Sequence, residues 1–224
     1  MLLQLDFESL VLRIDVHLAA RESIFESCCE ALVRSDFQDR LERSGEVAVH
    51  IAAYLARSAK TLLVDGDPNR SVTRWAAEGR LPFTVVSEAQ ATMHARNYEH
   101  IVIDTKARPD PDDLREIATG CHLLVLPCTP DPLSVDALLS TVKELKGLGS
   151  ERFRVLLTIV PPRPNKDGPK AREALVEAGL PLFKAQIPRV VTFQRCILEG
   201  QTVYSPEYNE VGEEIESLVN QLVA

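Results

Sequence analysis

Lys60-Thr-Leu-Leu-Val-Asp-Gly-Asp-Pro-Asn-Arg-Ser71 decides how the rest of the chain is read. Thr61 to Val64 is a short apolar run, which periodicity alone fits to a buried strand or a buried helix segment. The Gly66, Asp67 and Pro68 that follow favour a strand stopping at a loop. Asp65 and Asp67 then stand at the carboxyl end of a strand, where open α/β sheets bind ligands. Asp-Gly and Asp-Pro are also ordinary turn formers, so the pair by itself is compatible with a plain turn.

The same pattern repeats along the chain. Short apolar strands are expected at Phe83 to Val86, at Ile101 to Ile103 closed by Asp104, at Leu123 to Pro127, and at Arg154 to Val160. A further short strand is expected around Lys184 to Ile187, before Pro188. Between and after them lie helical patterns. The first is Gly45 to Ser58, with Val47, Ile51, Tyr54 and Leu55 on one face. Ser71 to Glu78 follows, with Trp75 as anchor and Ser71 placed to cap it. Then come Glu88 to Arg96, Asp112 to Thr119, Ser134 to Leu148, Pro169 to Ala178, Val191 to Leu198 and Glu207 to Leu222. Gly179 is placed to end the helix before it. Strands that are apolar throughout, alternating with helices, predict an α/β fold: a parallel sheet flanked by helices on both faces. Asp65, Asp67, Asp104 and the loop at Thr129 all fall at strand carboxyl ends.

Residues 1 to 44 read differently, with no glycine and no lysine. Leu10 to Val16 has the makings of a strand, and Leu18 to Arg43 has helical spacing through Ile24, Cys28 and Leu32. The expected organisation is therefore an atypical, mostly helical segment over 1–44 and an α/β domain over 45–224.

At 224 residues the chain has ample length for a sizeable core. Its net charge of −8 argues against general coating of nucleic acid, though not against a local basic face. The five cysteines have no metal-ligand spacing, and their odd number without a secretory signal points to reduced thiols in a cytoplasmic setting. No apolar run approaches the roughly 20 residues that span a bilayer.

Over about Val47 to Val203 the sequence resembles the ParA/MinD family of partition and positioning ATPases. The residues that carry this are Ala48-Val-His-Ile-Ala-Ala-Tyr-Leu-Ala56, Leu63-Val-Asp-Gly-Asp-Pro68 and Ile101-Val-Ile-Asp-Thr105. Pro127, Thr129-Pro-Asp-Pro-Leu133, Ile187-Pro-Arg189 and Glu199-Gly200 add to it. The resemblance implies a deviant-Walker P-loop NTPase fold with ATP and Mg²⁺ as cofactors. It implies that Asp67 orients the attacking water and that Asp65 shares its switch loop. Asp104 would be the Walker B acid, with Asp65 and Asp104 near the metal. Thr105 follows Asp104 in the same motif, and Pro188 would lie near the adenine. It further implies a homodimer, non-specific DNA as a possible partner, and a ParB-like or cargo-adaptor protein.

The sequence departs from the family where the phosphates should be held. Family members carry a loop of the type Lys-Gly-Gly-x-Gly-Lys-Thr-Thr just before the helix that starts near Val47. Here the residues are Leu41-Glu-Arg-Ser-Gly-Glu46, with no lysine, one glycine and no threonine. A phosphate loop works by wrapping glycine N–H groups around the anion and neutralising it with the lysine. Glu42 and Glu46 add negative charge instead; at an effective dielectric of about 20, like unit charges ~4 Å apart repel by roughly 4 kcal/mol. Three readings follow: a ParA-like protein with a degenerate or absent phosphate loop, a competent ATPase whose first residues are frameshifted or misassigned, and a dinucleotide enzyme with Asp65 on a ribose. The last lacks any Gly-x-Gly-x-x-Gly before a helix.

Two surfaces complete the reading. Lys143, Lys146, Arg152, Arg154, Arg163, Lys166, Lys170, Arg172, Lys184, Arg189 and Arg195 gather late in the chain, as a DNA face or as a solvated mixed face. The last helix carries Glu207, Glu210, Glu213, Glu214 and Glu216, the wrong charge for a membrane-surface helix. Packing on the core is expected of its apolar side.

Overall fold

The computed structural model describes residues 12–16, 38–105 and 111–223. Six strands form one sheet: β1 (Leu12–Val16), β2 (Thr61–Asp65), β3 (Thr84–Ser87), β4 (His100–Asp104), β5 (Leu123–Cys128) and β6 (Phe153–Leu157), in the order β3-β2-β4-β1-β5-β6. The helices are α1 (Gln38–Leu55), α2 (Ser71–Ala76), α3 (Glu88–His94), α4 (Pro111–Gly120), α5 (Pro132–Gly147), α6 (Asp167–Glu177), α7 (Val191–Glu199) and α8 (Pro206–Val223).

Side chains alternate across each strand, so each strand feeds two cores. On one face Leu63, Val102, Val125 and Leu156 lie under α1, α2, α7 and α8. On the other, Leu124, Leu126, Val155 and Leu157 lie under α4, α5 and α6, while Leu62, Val64 and Ile101 lie under α3. Burial on both faces is why these strands are apolar without alternation. The expected sheet flanked by helices on both faces is thus present.

One strand departs from the parallel rule. β2 is parallel to β3 and β4, and β5 to β6, but β1 runs antiparallel to both β4 and β5. Leu12 stands opposite Asp104 and Val125, and Val16 opposite His100. The strand from the atypical N-terminal stretch therefore fills the centre of the sheet, and its carboxyl end faces the opposite edge from Asp65 and Asp104. The boundary near residue 45 falls inside α1, which starts at Gln38. The helical spacing around Ile24, Cys28 and Leu32 lies outside the described residues.

Other expectations shift locally. Lys184 to Ile187 forms no strand of its own; it is flanked by isolated bridges, Leu182 to Val155 of β6 and Pro188 to Val160 beyond it. Phe183 N–H donates to the Val155 carbonyl and Ile187 N–H to the Leu157 carbonyl, covering that edge. Ser71 is not the cap of α2 but its first residue: Arg70 holds the cap position with φ 50°. Gly179 ends α6 with φ 69°, as expected. Ile215 and Val219 of α8 are buried, but Leu222 is exposed. Cys121, Cys128 and Cys196 are buried free thiols, and burial pushes Cys128 up to about 12. No described helix is long and apolar enough to cross a membrane.

Gly212 shows how closely α1 and α8 pack. A Cβ there would lie 2.2 Å from Tyr54 Cδ1 and 2.3 Å from Cγ, so the whole ring would have to move. Overpacking of this kind costs typically about 1–3 kcal/mol. Alanine in place of a helical glycine returns about 0.5–1 kcal/mol. The clash wins: Gly212→Ala should lower stability by about 1–2 kcal/mol in urea melts, and an unchanged midpoint would show that Tyr54 swings freely.

Candidate functional site

Asp65 and Asp104 end neighbouring parallel strands in exact register, so their backbones lie side by side at the carboxyl edge. Gly66 N–H donates to the Asp104 carbonyl at 2.8 Å, tying the two strand ends together. Gly66 is required at this contact, because a Cβ would stand 2.9 Å from that carbonyl oxygen. Asp65, Asp67, Asp104 and Thr105 are all buried. The structure therefore brings these four together. Pro188 is half-buried beyond β6, so three strand spacings of about 4.8 Å lie between β4 and β6 alone.

Each carboxylate has a distinct local task. Asp65 Oδ2 accepts the N–H of Thr73 at 2.7 Å and its hydroxyl at 2.6 Å. Thr73 is the third residue of α2, whose first N–H groups lack partners within the helix. Asp65 is thus the acceptor that caps α2, a service expected of Ser71. Asp67 Oδ1 accepts the backbone and side-chain N–H groups of Asn69 at 2.9 and 3.0 Å, closing the Asp-Pro-Asn turn. Its other oxygen, Oδ2, is buried without a hydrogen-bond partner, as is Asp65 Oδ1. Burial raises the Asp67 carboxyl above the usual carboxylate range, against the lowering effect of Asn69 and with help from the charge of Asp65. Among the described residues, no group of three or more His, Cys, Asp or Glu side chains is placed to hold a metal ion.

The ceiling over this site is α1. A Cβ on Gly45 would lie 2.9 Å from Val72 Cγ2, 3.0 Å from Ser71 Oγ and 3.7 Å from Asp104 Oδ2. The α1 backbone therefore rests on the first turn of α2, close to the Asp104 carboxylate. Ser44 to Val47 lie inside the helix, about two turns from its start at Gln38. Their N–H groups point along the helix axis to carbonyls one turn back, not into a common centre. Ser44 to Val47 do not form a nest of amides, and no lysine precedes Lys60 in the sequence.

Behind this ceiling sits an aromatic cluster that the sequence did not announce. His50 is packed within it: its ring stacks on Tyr208 at 4.6 Å between centroids and meets Phe193 and Trp75 edge-on. His50 Nδ1–H donates to the Glu46 carbonyl at 2.8 Å, and the Tyr208 hydroxyl donates to Glu46 Oε1 at 3.2 Å. These contacts tie α1 to α8 one turn past Gly45. Burial lowers His50 to about 4, so its ring is neutral at neutral pH. Burial also raises the Tyr208 hydroxyl well above its ordinary value.

At Thr129 the carboxyl end of β5 is engaged in helix capping. Asp131 accepts the Ser134 N–H at 3.0 Å and the Ser134 hydroxyl at 2.7 Å at the start of α5. Of the late basic residues, Arg154 and Arg172 are half-buried and the others exposed. Thr73 and Tyr208 were not legible as site residues, since their roles come from contacts with side chains of other elements.

No protein-family profile matches the chain. Maintenance of carboxysome distribution protein A from Gloeobacter kilaueensis is 32% identical over 186 residues, covering 75% of this chain and 86% of its own length. Among solved structures, one described as a plasmid partition protein from Borrelia burgdorferi, bound to AMPPNP, superposes with a TM-score of 0.62. It is 16% identical and covers 82% of this chain and 95% of its own. The MinC:MinD cell division complex of Aquifex aeolicus superposes with a TM-score of 0.62 at 10% identity, covering 80% and 92%. The two structures establish the fold, and the relative, alike over most of both chains, establishes the lineage: the chain belongs to the ParA/MinD family of partition and positioning ATPases.

Proposed function

We propose that this ParA-like partition and positioning protein works without gripping ATP itself. The observation that carries the reading is α1, which runs unbroken through the position of the phosphate loop and sets Gly45 against Val72 and Ser71 beside Asp104. A triphosphate needs convergent N–H groups and a cation there. It meets instead helical backbone, Glu46, and a glycine with no hydroxyl to offer a metal. Asp65 serves α2, and Asp67 and Asp104 are closed off from solvent. The Borrelia neighbour holds AMPPNP, and nucleotide binding by this chain is expected to be lost by comparison. The relative from Gloeobacter is named for carboxysome distribution, which makes a protein-bounded cargo, reached through an adaptor protein, the favoured class of load. A homodimer, a cytoplasmic location and a salt-sensitive DNA contact through the exposed lysines and arginines complete the proposal.

The test is an ATP titration of the purified chain at millimolar Mg²⁺, followed by calorimetry. No saturable binding is expected below about 1 mM, weaker than −4 kcal/mol. Micromolar binding would overturn the reading.

A second reading is favoured by one observation. Every other strand pair in the sheet is parallel, while β1 enters the centre antiparallel. That is the behaviour of a segment foreign to the fold, so residues 1 to about 46 would stand in place of an authentic strand and phosphate loop. Translating the upstream DNA in the other frames decides it: a Gly-Lys-Thr-Thr segment in line with Val47 supports this reading, and its absence removes it.

A further inference from the structure

The two edges of the sheet are treated differently. Beyond β6, the segment 181–188 covers one side, and side chains take groups on its outer side. The Phe183 carbonyl accepts Arg172 Nη2–H at 3.0 Å, and Lys184 N–H donates to Glu214 Oε2 at 3.1 Å. At the other side β3 ends the strand order and pairs with β2 alone.

Hydrogen-bond direction shows which groups of β3 face outward. Alternate residues of a strand turn their N–H and C=O to the same side. Gly66 N–H goes to Asp104 of β4, so Leu63 and Asp65 turn theirs toward β3. Thr84 and Val86 answer them, which leaves Phe83, Val85 and Ser87 facing away from β2. Ser87 agrees: its N–H donates to Gln90 Oε1. Among the described residues, nothing bonds the outward N–H and C=O of Phe83 and Val85.

The usual defences of an open edge are charge, proline and a bulge. Thr84-Val-Val-Ser87 carries no charge. Pro82 has the parity of Thr84, so its missing N–H falls on the β2 side and blocks nothing outside. Leu81, Phe83 and Val85 are half-buried against the core under α2, an apolar stripe beside the open groups. The ends of the strand differ in charge, with exposed Arg80 before it and exposed Glu88 after it. A second copy laid antiparallel brings each Arg80 near the other's Glu88, whereas a parallel one sets like charges together.

We infer that two copies of this chain pair their β3 strands antiparallel about a two-fold axis at Val85, joining their sheets into one. Val85 then exchanges both backbone bonds with its counterpart, and Phe83 stands opposite Ser87. Such a contact uses the same patch on both copies and closes on itself. With the opposite edge covered, assembly stops at the dimer. The pairing uses no nucleotide, and it supplies a face for the homodimer proposed above.

The test is sedimentation velocity of the full chain over a range of loading concentrations, without nucleotide. A monomer–dimer equilibrium in the high-micromolar range is expected, with nothing larger. Val85→Pro removes the central donor but no bond to β2, so it should keep the fold and weaken the dimer about tenfold or more. Arg80→Glu sets like charges together at both ends and should weaken it several-fold. Circular dichroism checks that both variants fold. In the wild type, amide exchange over 83–87 should slow as concentration rises, a readout that needs no variant. A chain that stays monomeric to about 1 mM overturns the inference, as does growth past the dimer. So does exchange over 83–87 that ignores concentration. A dimer insensitive to both variants removes this face alone and leaves the homodimer to another. One that appears only with Mg-ATP overturns this inference and the nucleotide reading together.

Discussion

Gly200→Ala should cost this protein about 2–4 kcal/mol, enough to remove a large part of the stability of an ordinary domain. Gly200 follows α7 with φ 64°, a conformation that alanine adopts only at a cost of about 1–2 kcal/mol. Its added Cβ would also stand 2.1 Å from Glu78 Cβ, 2.5 Å from Glu78 Cγ and 3.3 Å from the Trp75 carbonyl. The Glu78 side chain is exposed, but its Cβ is fixed to the backbone and cannot swing aside. Relief therefore requires the end of α2 or the start of the 200–205 loop to shift, at roughly 1–3 kcal/mol. That shift would also strain the bond from Trp75 Nε1–H to the Gln201 carbonyl, 3.2 Å long. Urea denaturation measures the loss directly. A midpoint within experimental error of wild type would mean that the α2–α7 contact is not held as described.

Acid should destabilise the fold through His50. Its ordinary value is 6.5 and burial lowers it to about 4, so between these limits the unfolded chain takes up a proton that the folded chain refuses. Stability rises with pH wherever the unfolded state binds more protons. The contribution of the neutral ring is thus complete above about pH 6.5, shrinks by up to ~1.4 kcal/mol per pH unit, and is lost by about pH 4. Between pH 7 and pH 5 the loss is about 2 kcal/mol. Asp67 works in the opposite sense, because its raised carboxyl keeps a proton longer in the folded state. Comparing wild type with His50→Phe isolates the histidine: phenylalanine keeps the stack with Tyr208 and the edge contacts with Phe193 and Trp75. The variant should show a flatter stability profile between pH 5 and 7. Parallel profiles would place the acid sensitivity elsewhere.

Much of the fold was legible because it depends on local pattern. The apolar runs at β2, β4 and β5 ended in carboxylates or turn residues, and each became a strand within a residue or two. The pairing of Asp65 with Asp104 at one edge followed from topology alone. What was not legible depends on contacts across the chain. Ser71 has the right chemistry for a cap, but Asp65 reaches back from the preceding strand and takes the Thr73 amide first. Lys184 to Ile187 is apolar enough for a strand, yet the isolated bridges fall on either side of it, at Leu182 and Pro188. Nor could residue type reveal the direction of β1. A strand of five residues pairs with its neighbours either way, and what decides is where the chain must go next.

The antiparallel strand at the centre has a cost in time. β4 and β5 do not pair with each other, so three strands on one side and two on the other are joined through β1 alone. Its partners arrive late in synthesis: Ile14 meets Val102, about 90 residues downstream, so a long loop must close before that pairing is rewarded. Two half-sheets can assemble from nearer contacts and wait with their inner edges bare. Closing that seam carries the largest loop-closure cost in the sheet, and the open edges of β4 and β5 are where an unfinished chain is most exposed to joining another.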